Sequence, residues 1–200
     1  MILEHAKILP AEFFLHDTAK VARALLGKGL LVRHGKTTML ARIVETEAYL
    51  GDTDPASHAF RGPTPRNRSM FETGGTCYVY LSYGINFCMN VSTKASGIGE
   101  AVLFRAAEPV LGVGAMQQRR KVAKINQLMN GPGKLTQALG IDLGFNGLRF
   151  DRQNLQLLDL GQNLPTRAIG RSPRIGISVA KEELLRFFIK DSEWLSRKGR

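Results

Sequence analysis

The sequence predicts an α+β fold built on an antiparallel sheet, and three observations lead to that class. Strand patterns come in adjacent pairs separated by short turns, rather than alternating with helices as a parallel sheet requires. Helical patterns are few, and they carry start or stop signals of their own. The 200 residues contain no internal repeat, low-complexity tract or linker, so a single domain spanning 1–200 accounts for the chain.

Taken in order, Asp17 can cap a helix over residues 18–26 that Gly27 ends in a left-handed conformation. Residues 30–33 and 37–48 read as strands joined by a tight turn at His34-Gly35-Lys36. The stretch 51–68 is rich in Gly, Pro, Asp and Arg; it is too polar for a core element and too long for a plain connection, as functional loops are. Residues 76–81 and 86–92 form a second hairpin around Tyr83-Gly84, and 101–107 add a strand. Helices are expected over 116–124 and over 134–139, the latter stopped by Gly140, with short strands over 157–160 and 174–178.

Hydrophobic residues make up 44% of the chain, with 21 Gly and 8 Pro, which fits a folded, turn-rich protein rather than a disordered or fibrous one. No apolar run approaches a bilayer span, and the first five residues have neither the basic start nor the apolar stretch of a secretion signal. The chain is therefore expected inside the cell, in the cytoplasm or nucleoid of a bacterium or the nucleus of a eukaryote, and away from membranes. Cys77 and Cys88 are expected to be reduced thiols, without a disulfide framework or a cysteine-rich zinc site.

The net charge of +11 is unevenly placed. Residues 1–60 carry seven basic and seven acidic side chains, residues 61–150 eleven and four, and residues 151–200 ten and six. Lys and Arg that neutralise phosphates release counterions, so a basic stretch beside a neutral one points to a nucleic-acid face.

Three segments could carry chemistry. Arg42-Ile43-Val44-Glu45-Thr46-Glu47-Ala48-Tyr49 is a strand that runs into two carboxylates. Strict alternation puts Glu45 and Glu47 on the face of Ile43, and a poorly solvated carboxylate there could take a proton from an attacking water. Alternation cannot choose between the two, and a strand end whose acids face solvent would look the same. Around the second hairpin, Tyr78, Tyr80 and Tyr83 lie within six residues, and Tyr83 at the tip could wedge into a base stack, although sheet aromatics are common for packing alone. The loop holding His58, Arg61, Thr64, Arg66 and Arg68 suits phosphate contacts, and the Gly131-Pro132-Gly133-Lys134 turn could also hold a phosphate or simply start a helix. No HExxH, CxxC, Walker loop or GxSxG motif occurs, and the four scattered histidines do not suggest a metal cluster, so no metal or cofactor is expected.

Together these segments resemble the alkyladenine (3-methyladenine) DNA glycosylase family of the mammalian type. The resemblance runs from Leu9-Pro10 and Leu25-Leu26-Gly27 through the Arg42 to Tyr49 strand, Thr64-Pro65-Arg66-Asn67-Arg68, Tyr78-Val79-Tyr80, Tyr83-Gly84 and Phe87-Cys88-Met89-Asn90 to Leu103-Phe104-Arg105-Ala106-Ala107-Glu108-Pro109 and Gly131-Pro132-Gly133-Lys134-Leu135. It implies a curved antiparallel sheet with flanking helices and a protruding hairpin that enters the minor groove of double-stranded DNA, in a protein acting as a monomer.

The same resemblance implies that Glu47 is the general base for water and that Arg105 helps to place the water and the sugar phosphate. Tyr49, His58 and Tyr80 would stack on and hold the flipped base, with Leu103 beside them. Asn90 would exclude the amino group of guanine, and Tyr83 would fill the hole left in the duplex. Thr64, Arg66, Arg68 and Lys134 would contact the DNA backbone. Without a lysine nucleophile in the matched site, the implied enzyme is monofunctional and leaves an abasic site, working on 3-methyladenine, hypoxanthine or ethenoadenine. A non-catalytic nucleic-acid binding module is the alternative, since charge and tyrosines would serve it equally. At the hairpin, Asn86 stands where the family leads one to expect an aromatic ring. A two-residue turn pairing Ser82 with Ile85 would put Tyr80 and Asn90 on opposite faces there; for them to share a face, a three-residue turn pairing Leu81 with Ile85, or a bulge, is expected.

Overall fold

A computed structural model describes residues 3–197, so Met1 and Ile2 of the segment read for a secretion signal lie outside the described residues. The chain begins with β1 (Lys7–Ile8) and α1 (Thr18–Ala24), then forms β2 (Gly29–His34) and β3 (Thr37–Leu50). After the long loop come β4 (Cys77–Ser82), β5 (Asn86–Thr93) and β6 (Glu100–Leu111), followed by α2 (Val113–Arg120) and α3 (Pro132–Leu139). Four short strands complete it: β7 (Asp151–Arg152), β8 (Leu155–Asp159), β9 (Ile169–Ser172) and β10 (Arg186–Ile189). All ten strands join one sheet in the order β1-β8-β2-β3-β6-β5-β4, with β10 pairing to β3 and β9, and β7 to β8. Each of these pairings is antiparallel, as expected for an α+β protein.

The helices cover one face of the sheet and form the main core with it. The Asp17 carboxylate accepts from the Lys20 N–H and starts α1, which buries Val21 and Ala22, followed by Leu25. Pro132 opens α3, and Gly140 at φ 67° closes it, a left-handed conformation that glycine adopts without strain. Leu135, Ala138 and Leu139 of α3 and Met116 of α2 join the same cluster as Phe104, Val102 and Ile43.

The centre of the sheet differs from strict alternation in a way that matters for function. β3 pairs along its first half with β2 and further on with β10, while its other edge runs along β6. At the handover the β3·β6 ladder is irregular, so that Ile43 faces Ala107, Glu45 faces Ala106 and Thr46 faces Phe104. An extra residue in a strand reverses which side chains face which side. Ile43 and Ala48 therefore both belong to the main core, and the expectation that Glu45 and Glu47 share the face of Ile43 is wrong. Both carboxylates point away from the helices, to the opposite face.

Two further expectations are corrected. The helix expected over 116–124 begins at Val113 and stops at Arg120, because Lys121 adopts φ 51° and the residues after it, mostly polar, bury little. The strand expected over 174–178 is a loop: Pro173 precedes it, Gly176 turns at φ 80°, and the Ile175 N–H donates to Glu47 rather than to a neighbouring strand. The last strands of the sheet are β9 and β10 instead, and the strand expected over 157–160 is β8. The second hairpin has the three-residue turn that a shared face requires, one residue later than the expected pairing of Leu81 with Ile85. Ser82 pairs with Asn86 around Tyr83-Gly84-Ile85, with Tyr83 and Gly84 both at positive φ, so Tyr80 and Asn90 lie on one face. Asn86 packs where α3 begins: a Cβ on Gly133 would lie 2.7 Å from the Asn86 Cβ, leaving little room there for an aromatic ring.

Candidate active site

Five residues stand in one row across the sheet. Tyr78 on β4 lies opposite Asn90 on β5, Asn90 opposite Leu103 on β6, Leu103 opposite Glu47 on β3, and Glu47 opposite Arg186 on β10. Directly opposed residues in an antiparallel ladder share a face, so the row brings together side chains up to 139 positions apart, Glu47 to Arg186. Tyr80, Cys88, Arg105, Glu45 and Tyr49, each two residues along its strand, extend the same face.

Glu47 is fully buried. Its Oε2 accepts from the Tyr49 hydroxyl at 3.0 Å and from Arg105 Nη1 at 3.2 Å, and its Oε1 accepts from the Ile175 N–H at 2.7 Å. Burial pushes the Glu47 carboxyl above its ordinary value, and Arg105, the Ile175 N–H and the Tyr49 hydroxyl only partly oppose it. Such a carboxylate is a better proton acceptor than an exposed one, which is the property a general base needs.

In front of this carboxylate lies a cavity of about 560 Å³ bordered by Tyr49, His58, Tyr80, Asn90, Leu103 and Arg105. The Ile175 to Val179 loop forms another wall, and Tyr83 and Arg66 stand at its border. Glu47 lies one side chain behind the lining: Tyr49, Arg105 and Ile175, its three hydrogen-bond donors, all face the cavity. Arg105 also reaches Glu45, which accepts from Arg186 and from the Ser196 N–H and hydroxyl as well. Among the described residues no three His, Cys, Asp or Glu side chains come together as a metal site would need.

The aromatic wall is itself ordered. His58 packs edge-on against Tyr80 with centroids 4.5 Å apart, and its Nδ1 lies 3.0 Å from the Tyr78 hydroxyl. Burial and the Arg66 cation lower the His58 pKa, which favours a neutral imidazole. Asn90 Nδ2 donates to the Tyr78 carbonyl at 3.0 Å, which fixes the amide in the wall. Tyr83 is 89% exposed at the hairpin tip, and next to it Ile85 is 78% exposed, which leaves two apolar side chains in water.

The remaining candidates lie around the cavity rather than in it. Arg66 Nη2 donates to the Leu81 carbonyl of the hairpin, and the guanidinium lies 5.6 Å from the Tyr80 ring. The Thr64 N–H and hydroxyl both donate to Asn67 Oδ1, so this hydroxyl is turned into the loop. Arg68 is exposed on a short 3₁₀ turn whose Met70 lines the cavity, and Lys134 Nζ donates to Asn130 two residues before Pro132. Sequence reasoning missed Asn67, which is buried and donates to the His58 and Gly62 carbonyls to close the loop. It also missed the Ile175 loop and the Asp54–Arg174 ion pair, since only a turn-rich sequence around Gly176 hinted at them.

Comparison with known proteins follows the same lines. Residues 12–193 match the family model for methylpurine-DNA glycosylase. A relative in Methanoculleus marisnigri, named provisionally as a 3-methyladenine DNA glycosylase, is 47% identical over 192 residues, 95% of this chain and 99% of its own. Relatives with the same name in Francisella tularensis and Chlorobaculum tepidum are 44% and 45% identical over 183 and 194 residues. The alignments cover 90% and 96% of this chain, and 94% and 91% of theirs.

Proposed function

The chain belongs to the methylpurine-DNA glycosylase family of repair enzymes, whose substrate is DNA, and from that premise we propose how it works. It turns a damaged purine out of the duplex into the Tyr-lined cavity and hydrolyses its N-glycosidic bond with a water that Glu47 activates. The observation that carries this reading is Glu47 itself, fully buried behind a cavity whose lining supplies all three of its donors.

In the proposed reaction a water admitted between Tyr49, Arg105 and Ile175 gives a proton to Glu47. Oε1 is the better acceptor, since among the described residues it holds one donor while Oε2 holds two. The water oxygen bonds to C1′ of the sugar as the bond from C1′ to the base nitrogen breaks, and the electron pair leaves with the base. A cationic alkylated purine departs neutral; a neutral one such as hypoxanthine must also gain a proton. Arg105 offers charge to the site of attack, and the electron-rich faces of Tyr49 and Tyr80 favour a cationic ring. His58 Nε2, which holds no partner among the described residues, is free to reach the base edge.

Duplex approach is from the minor groove by a monomer. Tyr83 enters the stack in place of the extruded nucleotide, Asn90 excludes guanine, and Arg66, Arg68, Lys134 and Thr64 flank the opening where phosphates would lie. No lysine lines the cavity among the described residues, which supports a monofunctional enzyme over one that cuts the backbone through a Schiff base. The testing experiment is a panel of duplex oligonucleotides carrying 3-methyladenine, hypoxanthine or ethenoadenine, scored for abasic sites at fixed salt, with borohydride trapping alongside. Release without trapping from at least one lesion is expected; duplex binding with no release from any of them overturns the proposal and leaves a binding module.

A further inference from the structure

We propose that Asp54 and Arg174 are a positioning pair for this reaction: together they hold two walls of the cavity against the strand that bears Glu47 and so set two of its donors, Tyr49 and the Ile175 N–H. The inference rests on the glycosylase reading but concerns residues that reading does not use.

The pair lies in the interior, with the Arg174 side chain wholly buried and that of Asp54 nearly so. Arg174 meets Asp54 through both terminal nitrogens, Nη1 to Oδ2 and Nη2 to Oδ1, and Nη1 also donates to the Ala48 carbonyl of β3. The guanidinium lies over the Tyr49 ring, 4.7 Å from its centroid, and the next residue is Ile175. Arg174 therefore bears on both Glu47 oxygens without touching either. Oε1 receives the N–H of the adjacent residue, and Oε2 receives the hydroxyl of the ring that Arg174 covers.

Asp54 completes the link on the other wall. Its oxygens accept from the Leu50 and Ala56 N–H groups, which anchors the turn whose Pro55 and Ala56 line the cavity. One ion pair thus joins three chain segments: the end of β3, the 54–56 turn and the 174–179 loop. A buried pair of this kind is poor evidence for stability, because desolvation offsets most of the attraction. Arg174 Nε is moreover buried without a partner among the described residues. What the planar fork supplies, and an aliphatic pair would not, is fixed geometry.

The test compares wild type with Arg174→Lys, which keeps the charge and loses the fork, and with Asp54→Asn. Single-turnover release is followed against pH on the hypoxanthine and ethenoadenine duplexes, with duplex affinity measured in parallel. Glu47 is faced by Glu45 and Tyr49 on β3, Arg105 on β6, Arg186 on β10, Cys88 on β5, the Ile175 N–H and, without contact, the charge of Arg174 itself, which Arg174→Lys keeps; of these Arg174 touches the Tyr49 ring and adjoins Ile175.

Arg174→Lys is expected to bind the duplex as wild type does and to release base roughly 10- to 100-fold more slowly, the loss that a misplacement of about an ångström produces. Its acid limb should move to higher pH, since a carboxylate that loses a donor holds its proton more tightly. Asp54→Asn should shift the limb the same way by less, and it decides the matter if the lysine variant melts below the assay temperature. A folded variant with the wild-type limb overturns the inference, whether its rate is unchanged or merely reduced along with its affinity. A wild type that releases neither base overturns the glycosylase reading for these lesions and this inference with it.

Discussion

Glu45 and Glu47 share one guanidinium: Arg105 Nε lies 3.2 Å from Glu45 Oε1 and its Nη1 lies 3.2 Å from Glu47 Oε2. Beyond that shared partner their surroundings diverge. Glu45 also accepts from Arg186 Nε at 2.7 Å and from the N–H and hydroxyl of Ser196, each at 2.7 Å, so that its Oε1 holds three donors and its Oε2 one. Each glutamate keeps one oxygen with a single donor, but Glu47 is the one whose donors Tyr49, Arg105 and Ile175 all line the cavity, whereas Arg186 and Ser196 do not. Two carboxylates two residues apart, indistinguishable by spacing, thus have different surroundings: one ties the C-terminal segment and Arg105 to the sheet, and the other stands directly behind the cavity.

The first prediction separates them by mutation. Glu47→Gln keeps the shape and the duplex affinity but loses the base, so release should fall by roughly 10²- to 10⁴-fold, the usual contribution of a general base. Glu45→Gln leaves buried Arg186, whose ion pair among the described residues is with Glu45, without its counter-charge, while Arg105 keeps Glu47; breaking such a buried pair typically costs about 3–5 kcal/mol. Its main effect should be a lower Tm, read by thermal denaturation beside the release assay. Near-normal release in Glu47→Gln would move the base role to another group.

The second prediction concerns pH. A base must be ionised, so release should decline as pH falls through the raised Glu47 pKa, above the ordinary 4.5. Stability runs the other way for this group. The folded state holds the Glu47 proton more tightly than the unfolded chain, so as pH rises from 4.5 through the folded-state value, ionising Glu47 removes stability. Glu47→Gln should therefore melt above wild type at neutral pH, with the advantage vanishing below 4.5, where both side chains are neutral in either state. Calorimetry of the two proteins across that range reads the effect; a variant less stable at neutral pH than wild type would contradict it.

The third prediction concerns the hairpin tip. Tyr83 is 89% exposed and makes no core contact, so Tyr83→Ala should leave the Tm unchanged. If the ring stacks in the duplex, its removal should weaken binding to lesion DNA by about 1–3 kcal/mol, as loss of base stacking does. A ring neutralises no phosphate, so the slope of affinity against salt should stay as in wild type, whereas Arg66→Ala should reduce that slope by roughly one charge. Titrations at several salt concentrations distinguish the two variants.

Much of this was legible from local pattern. Asp17 before α1, Gly140 after α3 and the paired strand segments each act over a few residues, and the odd hairpin turn followed from requiring Tyr80 and Asn90 on one face. What could not be read was set by distant pairing. The irregular β3·β6 ladder at Ile43 and Glu45 sits where the other edge of β3 changes partner from β2 to β10, and no property of residues 42–49 announces it. Arg174-Ile175-Gly176-Ile177-Ser178 alternates like a strand, yet its first guanidinium is taken by Asp54, 120 residues away, and the Ile175 N–H by Glu47. The candidate site is correspondingly half visible: the side chains with distinctive chemistry stood out, while the backbone donor and the ion pair behind them did not.

The last prediction concerns which bases are refused. Asn90 is buried in the cavity wall, and its Nδ2 is held on the Tyr78 carbonyl at 3.0 Å, so the amide cannot swing aside for a bulkier edge. A fixed side chain that collides with the amino group of guanine discriminates by repulsion, and repulsion disappears when the group is cut back. Asn90→Ala should therefore release guanine from undamaged duplex at a rate above wild type while changing hypoxanthine release less. It should also lose stability on the order of 1 kcal/mol, as a buried hydrogen bond is removed. The decisive measurement is the ratio of guanine to hypoxanthine release in the two proteins at a temperature where both are folded. An unchanged ratio would place the exclusion of guanine elsewhere, in the fit of the base between Tyr49, His58 and Tyr80.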